Sequence, residues 1–146
     1  MTLFRRWLPS VFWMSLIFLL SAQERLPRPS GISPDIQALA GHFGAYAILA
    51  LLLLGALAHL GWSFATRAAI AFVVAVLYGV SDEIHQSFVP GRDPSAFDVG
   101  IDALGAAVAL IGRRVLAETG RRPGVADDAG DSDQRQQIGE RQQQIG

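Results

Sequence analysis

The sequence predicts an all-α protein: a small integral membrane bundle of about four transmembrane helices with a disordered C-terminal tail. Three observations lead there. Hydrophobic residues make up 51% of the 146-residue chain and charged residues only 17%, below the roughly one quarter usual in soluble domains. Apolar runs fall at residues 7–20, 42–62, 68–80 and 97–111, separated by segments rich in proline, glycine and charge. After Ala117 apolar residues nearly vanish.

Arg5 and Arg6 precede the first run, which ends in Ser21-Ala22-Gln23. A signal peptide has the same pattern, but the further apolar spans downstream favour a retained first membrane helix, with Trp7 and Trp13 near interfaces. Residues 24–37 carry Pro27, Pro29, Gly31 and Pro34 and read as an extended connection. Within it, Ser33-Pro34-Asp35 has the order of a helix start, a capping hydroxyl followed by proline. The run at 42–62 has almost no charge and the length to cross a hydrocarbon core of about 30 Å. His42 and Tyr46, four residues apart, share a face at its beginning.

The third run, 68–80, is too short alone. Extended to about Ser87 it spans, which sets Asp82, Glu83 and His85 at headgroup level. Val89-Pro90-Gly91-Arg92-Asp93-Pro94 forms a compact turn. The fourth run is spaced with Gly100, Ala103, Gly105, Ala106, Ala107 and Gly112, small residues that let helices approach closely. Residues 1–117 therefore form the membrane domain. Residues 118–146, in which RQQIG recurs as RQQQIG, form a polar tail that cannot bury enough surface to order itself.

Every basic residue is arginine. Arg5, Arg6, Arg67, Arg113, Arg114, Arg121 and Arg122 outnumber Arg25, Arg28 and Arg92 on the opposite side of a four-span arrangement, which puts both termini in the cytoplasm of an inner-membrane, multi-pass protein. A net charge of −1 gives no basis for a nucleic-acid partner. The absence of cysteine excludes disulfides, thiolate ligands and cysteine nucleophiles.

The polar chemistry concentrates in LYGVSDEIHQSFVPGRDPSAFDVGID, residues 77–102. Ionisable groups beside membrane spans are expensive unless paired, wetted or used, so this stretch is the candidate site. Tyr78, Asp82 and His85 line one helical stripe, Gly79, Glu83 and Gln86 the next, and Asp98, Asp102 and Gly105 a third on the last helix. With His42 and Tyr46 they can converge on one pocket, where Arg92 offers a planar fork for phosphate or carboxylate. The bland readings stand beside this one. His85 can simply bond within the bundle, His42 can be interfacial, Glu83 can face headgroups, and Asp98 can cap its helix or pair with Arg92. Asp102, one turn deeper, needs a partner, water or a proton. Asp, Glu and His in this arrangement can hold a divalent ion, but no fixed metal-ligand signature appears, so a metal is the minority reading and none is assigned. With no nucleophile elbow serine catalysis is weaker still, and no cofactor is expected.

The blocks GHFGAYAILALLLL (41–54), LYGVSDEIHQSFVPGR (77–92) and DVGIDALGA (98–106) resemble those of VanZ-like membrane proteins, in order and spacing, over about residues 7–114. The resemblance implies a bundle of about four membrane helices with the polar motif at its heart. It points to His42, Tyr46, Tyr78, Asp82, Glu83, His85, Gln86, Pro90, Gly91, Arg92, Asp98 and Gly105. Where many relatives carry Asn, this chain has Asp102, implying a protonated or paired carboxylate. The namesake of the family is associated with low-level resistance to the glycopeptide teicoplanin.

The expected function is binding or modification of a cell-envelope component, a lipid-linked or cell-wall precursor, with membrane lipid as surroundings and self-association left open. Whether the protein is an enzyme is also open. In the enzymatic version His85 is the acid or base, Asp82 orients it, Glu83 and His42 complete the catalytic set, and Arg92, Gln86, Tyr46, Tyr78, Asp98 and Asp102 hold the substrate. The rival is a non-catalytic scaffold or binding module, with a small oligomeric transporter as a third reading.

Overall fold

The computed structural model describes residues 3–24, 31 and 33–120. The proposed tail from residue 121 onward, and Arg25 and Arg28, lie outside the described residues. Among those described there are four α-helices and no strand: α1 (Leu3–Ser21), α2 (Pro34–Ala56), α3 (Phe64–Gln86) and α4 (Ala96–Thr119), with a 3₁₀ turn at Leu57–Leu60 after α2.

Local chemistry sets the boundaries. The Ser33 side chain accepts from the Ile36 amide, Pro34 fills the first helical position and Asp35 lies in the first turn, so orphan amides and the helix dipole are both satisfied. The helix therefore begins two turns before the apolar run, and His42 sits in its third turn rather than at its start. At the other end Gly61 adopts φ +67, a left-handed stop that glycine takes without a Cβ penalty. Ser63 caps α3 by accepting from the Thr66 amide at 3.1 Å. That cap starts α3 at Phe64, ahead of the expected Ala68, and makes it 23 residues long. Gly91, at φ +78, turns the chain between α3 and α4.

Two helical stretches, Pro34–Leu60 and Phe64–Gln86, are long and apolar enough to cross a membrane. Helices α1 and α4 have 19 and 24 residues, but Arg5 and Arg6 lie in the first, and Asp98, Asp102, Arg113 and Arg114 in the second. All four helices carry exposed large apolar side chains, among them Phe12 at 68%, Leu77 at 63% and Phe97 at 68%. The interior mixes leucines (Leu49, Leu53, Leu54, Leu57 and Leu110) with small residues (Ala50, Ala71, Ala75 and Ala106) and polar ones (Ser10, Asp82, Glu83, Gln86 and Asp102). The small and polar groups permit close backbone approach and interhelical hydrogen bonds beside the apolar contacts.

Polar side chains tie α1 into the bundle. Trp13 Nε1 donates to the Ala45 carbonyl of α2 at 2.8 Å, and the Tyr78 hydroxyl of α3 donates to the Met14 carbonyl at 2.6 Å. Tyr78→Phe removes only the second bond. It is expected to lower stability by about 1 kcal/mol, read as a reduced melting temperature in detergent.

Candidate functional site

Two glycines bring the helices close enough to make the site. A Cβ on Gly105 of α4 would run into the backbone of Phe43 on α2, with the Phe43 carbonyl oxygen nearest. On α3, a Cβ on Gly79 would lie 2.8 Å from Oδ2 of Asp102 and 3.4 Å from the Tyr46 ring. Helices α2 and α4 thus meet backbone to backbone, and α3 closes on the Asp102 and Tyr46 side chains. His42 precedes Phe43 and Asp102 sits three residues before Gly105, so the same approach joins His42 Nδ1 to Asp102 Oδ1 at 3.0 Å. Asp102 is 0% exposed. An ionised carboxylate only accepts, so Nδ1 carries the hydrogen and Nε2 is the nitrogen left for chemistry.

Beside this pair a cavity of about 340 Å³ opens between the ends of α1, α2 and α3 and the turn that follows. Five of the expected site residues line it: His42, Tyr46, Asp82, Gln86 and Arg92. Tyr46, 1% exposed, has no partner for its hydroxyl among the described residues, and Asp82, 5% exposed, has none for Oδ1. These two atoms are closed off behind the cavity wall that other atoms of the same residues line, and buried polar atoms without partners are expensive. The Gln86 amide donates to Asp82 Oδ2 at 3.0 Å and weakly to Glu83 Oε1 at 3.5 Å. Arg92 spans the mouth, one guanidinium nitrogen donating to the Leu20 carbonyl at 3.3 Å.

The remaining expected residues lie off the cavity wall. His85 stacks on Phe18 with ring centroids 4.2 Å apart, and its Nδ1 is 3.3 Å from the Ser21 hydroxyl. The expected orientation of His85 by Asp82 is therefore not formed. Three residues apart on one helix, Asp82 turns to the cavity while His85 turns to α1, where a ring and a hydroxyl meet it. The imidazole held by a carboxylate is instead His42, and its partner is Asp102. Tyr78 is engaged with α1 as described, its ring 6.3 Å from that of Tyr46. Glu83 is buried and takes the Ser95 amide at 2.8 Å through Oε2, anchoring the start of α4. Asp98, half-buried in the first turn of α4, does not take up Arg92, which reaches back to α1. His42, Glu83 and Asp98 do offer donor atoms lying within 4.8 Å of one another.

Sequence reasoning missed the contribution of α1 and the start of α2. Ser21, Glu24 and Asp35 also line the cavity. Ser21 reads from sequence as the end of an apolar run and Asp35 as part of a helix start, and no local pattern signals that either borders the cavity.

None of the curated proteins and none of the solved structures compared with the chain matches it. A family model described as VanZ/LLP1 matches residues 6–116, a stretch that takes in α2, α3 and nearly all of α1 and α4. The resemblance in the blocks around His42, Asp82–Arg92 and Asp98–Gly105 is thereby shown, and the chain belongs to the VanZ/LLP1 family.

Proposed function

We propose that this VanZ/LLP1-family chain spans the bacterial inner membrane four times, with both termini cytoplasmic, and that its extracytoplasmic cavity binds or modifies an envelope component. The ligand is an amphiphile with a polar, anionic head, of the lipid-linked or cell-wall precursor class. One observation carries the reading: His42, Tyr46, Asp82, Gln86 and Arg92, drawn from α2, α3 and the turn after it, line one cavity of about 340 Å³, within helices whose outer faces are apolar. An acyl or prenyl chain lies against such faces at little cost, while the head finds hydrogen-bonding groups in the cavity.

In this reading His42 is the working group. Asp102 holds its tautomer and stabilises the imidazolium, so that Nε2 can take or give a proton at the bound head. Arg92 keeps guanidinium donors for a phosphate or carboxylate oxygen. A link to teicoplanin tolerance follows if the head belongs to a cell-wall precursor. The scaffold reading is favoured by a different observation: the Ser21–His85, His42–Asp102 and Glu83–Ser95 bonds all cross between elements and lock the bundle whether or not anything binds.

His42→Gln and Arg92→Ala separate the two. The glutamine amide still donates to Asp102, so melting should stay within a few degrees of wild type. Turnover of envelope-lipid extract by protein in nanodiscs should fall at least about 100-fold for His42→Gln, the scale of a lost acid or base. Arg92→Ala should weaken retention of anionic lipids. Parallel losses of melting temperature and lipid handling would favour the scaffold, and a wild type inert toward every envelope lipid would remove the enzymatic version.

A further inference from the structure

The end of the bundle where α2, α3 and α4 meet carries more negative charge than the described residues there balance. Asp82, Glu83, Asp98 and Asp102 gather within two turns of α3 and α4, and three of them are buried. Facing them are His42, already bonded to Asp102, and Arg92, whose guanidinium is turned toward the Leu20 carbonyl on α1. Lysine is absent from the whole chain. Two buried carboxylate oxygens, Oδ1 of Asp82 and Oδ2 of Asp102, have no partner among the described residues. Buried carboxylates left like this must take a proton or a cation.

The second observation is geometric and comes from three separate helices. His42, Glu83 and Asp98 each present one donor atom, all within 4.8 Å of one another. Bonds of about 2.0–2.2 Å to one ion put neighbouring donors roughly 3–3.5 Å apart, so rotations closing the group by about 1–2 Å suffice. Glu83 has Oε2 committed to the Ser95 amide, which fixes the carboxylate and leaves Oε1, held only by a long 3.5 Å contact to Gln86. His42 has Nδ1 committed to a fully buried carboxylate, the outer-shell arrangement that aims the other ring nitrogen of a histidine ligand at a metal and raises its basicity.

We propose that His42, Glu83 and Asp98 form a divalent-cation site, with Asp102 as the positioning residue behind His42, taking a transition-metal ion of the Mn²⁺ or Zn²⁺ class. One imidazole with two carboxylates suits those ions. The absence of sulfur disfavours soft cations, and the imidazole disfavours calcium and magnesium, which prefer oxygen alone. The inference goes beyond the proposed function and does not depend on it: Glu83 and Asp98 lie off the cavity wall, and an ion on Nε2 makes His42 a ligand in place of the proton carrier.

The site is tested with metal alone. Full-length protein in detergent, stripped with chelator, is titrated with MnCl₂ and followed by the resonance of free Mn²⁺, with ZnCl₂ in a parallel thermal-melting series. Wild type is expected to bind one ion per chain and to melt several degrees higher at saturation. Asp98→Asn and Glu83→Gln should each weaken binding at least about tenfold, while Asp93→Asn, in the exposed turn, should match wild type. Asp98 is half-buried, so its variant is the arm expected to keep the apo melting temperature if Glu83→Gln unfolds. No saturable binding by wild type below millimolar metal would overturn the proposal, as would Asp98→Asn binding as tightly as wild type. Metal binding without any lipid handling would count against the envelope reading alone, and lipid handling by wild type that binds no metal against the metal site alone.

Discussion

Gly105→Ala is expected to destabilise the bundle by about 2–3 kcal/mol, the upper part of the range for forcing extra atoms into a packed contact. The added Cβ meets the carbonyl carbon and Cα of Phe43 at 3.0 and 3.1 Å, and its carbonyl oxygen nearer still. These are backbone atoms, which cannot swing aside as a side chain would, so α2 and α4 must part. His42 adjoins Phe43 and would withdraw from Asp102 in the same movement. Melting in detergent measures the effect, and Gly100→Ala supplies the control. A Cβ on Gly100 meets nothing within 4 Å, and alanine is the better helix former by roughly 0.8–1 kcal/mol, so that variant should be neutral or slightly more stable. Equal melting of the two variants would mean that α4 does not press on α2 at Gly105.

The second large effect concerns the pair that this contact brings together. His42→Leu should cost about 3–5 kcal/mol, because removing one partner leaves the other carboxylate buried and uncompensated. The Asp102 side chain is wholly buried and that of His42 is 15% exposed. Adding Asp102→Leu to His42→Leu should recover most of the loss, since two apolar side chains of similar volume need no partner. Urea or thermal unfolding of the two single variants and the double variant closes the cycle. Additive losses would show that the two side chains stabilise the fold independently, and the account of the site would lose its centre. The glutamine at position 42 used in the functional test is milder because its amide still donates to Asp102.

Hydrophobic runs and their punctuation were enough to read the helices. Ser33-Pro34-Asp35 marked the start of α2, Pro90 and Gly91 marked the reversal between α3 and α4, and the small residues of the last run, Gly105 among them, marked a helix that packs closely. These features are local. A cap, a turn or an apolar face is specified by residues within a few positions of one another, so the chain states them directly. The cluster of acids, histidines and arginine between residues 77 and 102 was legible for a related reason: such groups are expensive among apolar segments unless paired, wetted or used.

Pairing between helices was not legible. Periodicity says that Asp82 and His85 lie three apart on one helix, but not which neighbour each will face. That depends on how far each helix is rotated about its axis, and the rotation is set where the glycines are in contact, Gly79 with the Asp102 side chain and Gly105 with the Phe43 backbone. With α3 turned as those contacts require, His85 meets Phe18 and Ser21 of α1, Asp82 meets the cavity, and the imidazole backed by a carboxylate is the one on α2. By itself the sequence determined which residues would be costly to bury and roughly where along the helices they would lie. Only the tertiary structure decided that His42 and Asp102, 60 positions apart, would be the pair, because two glycines without side chains let three helices close on them.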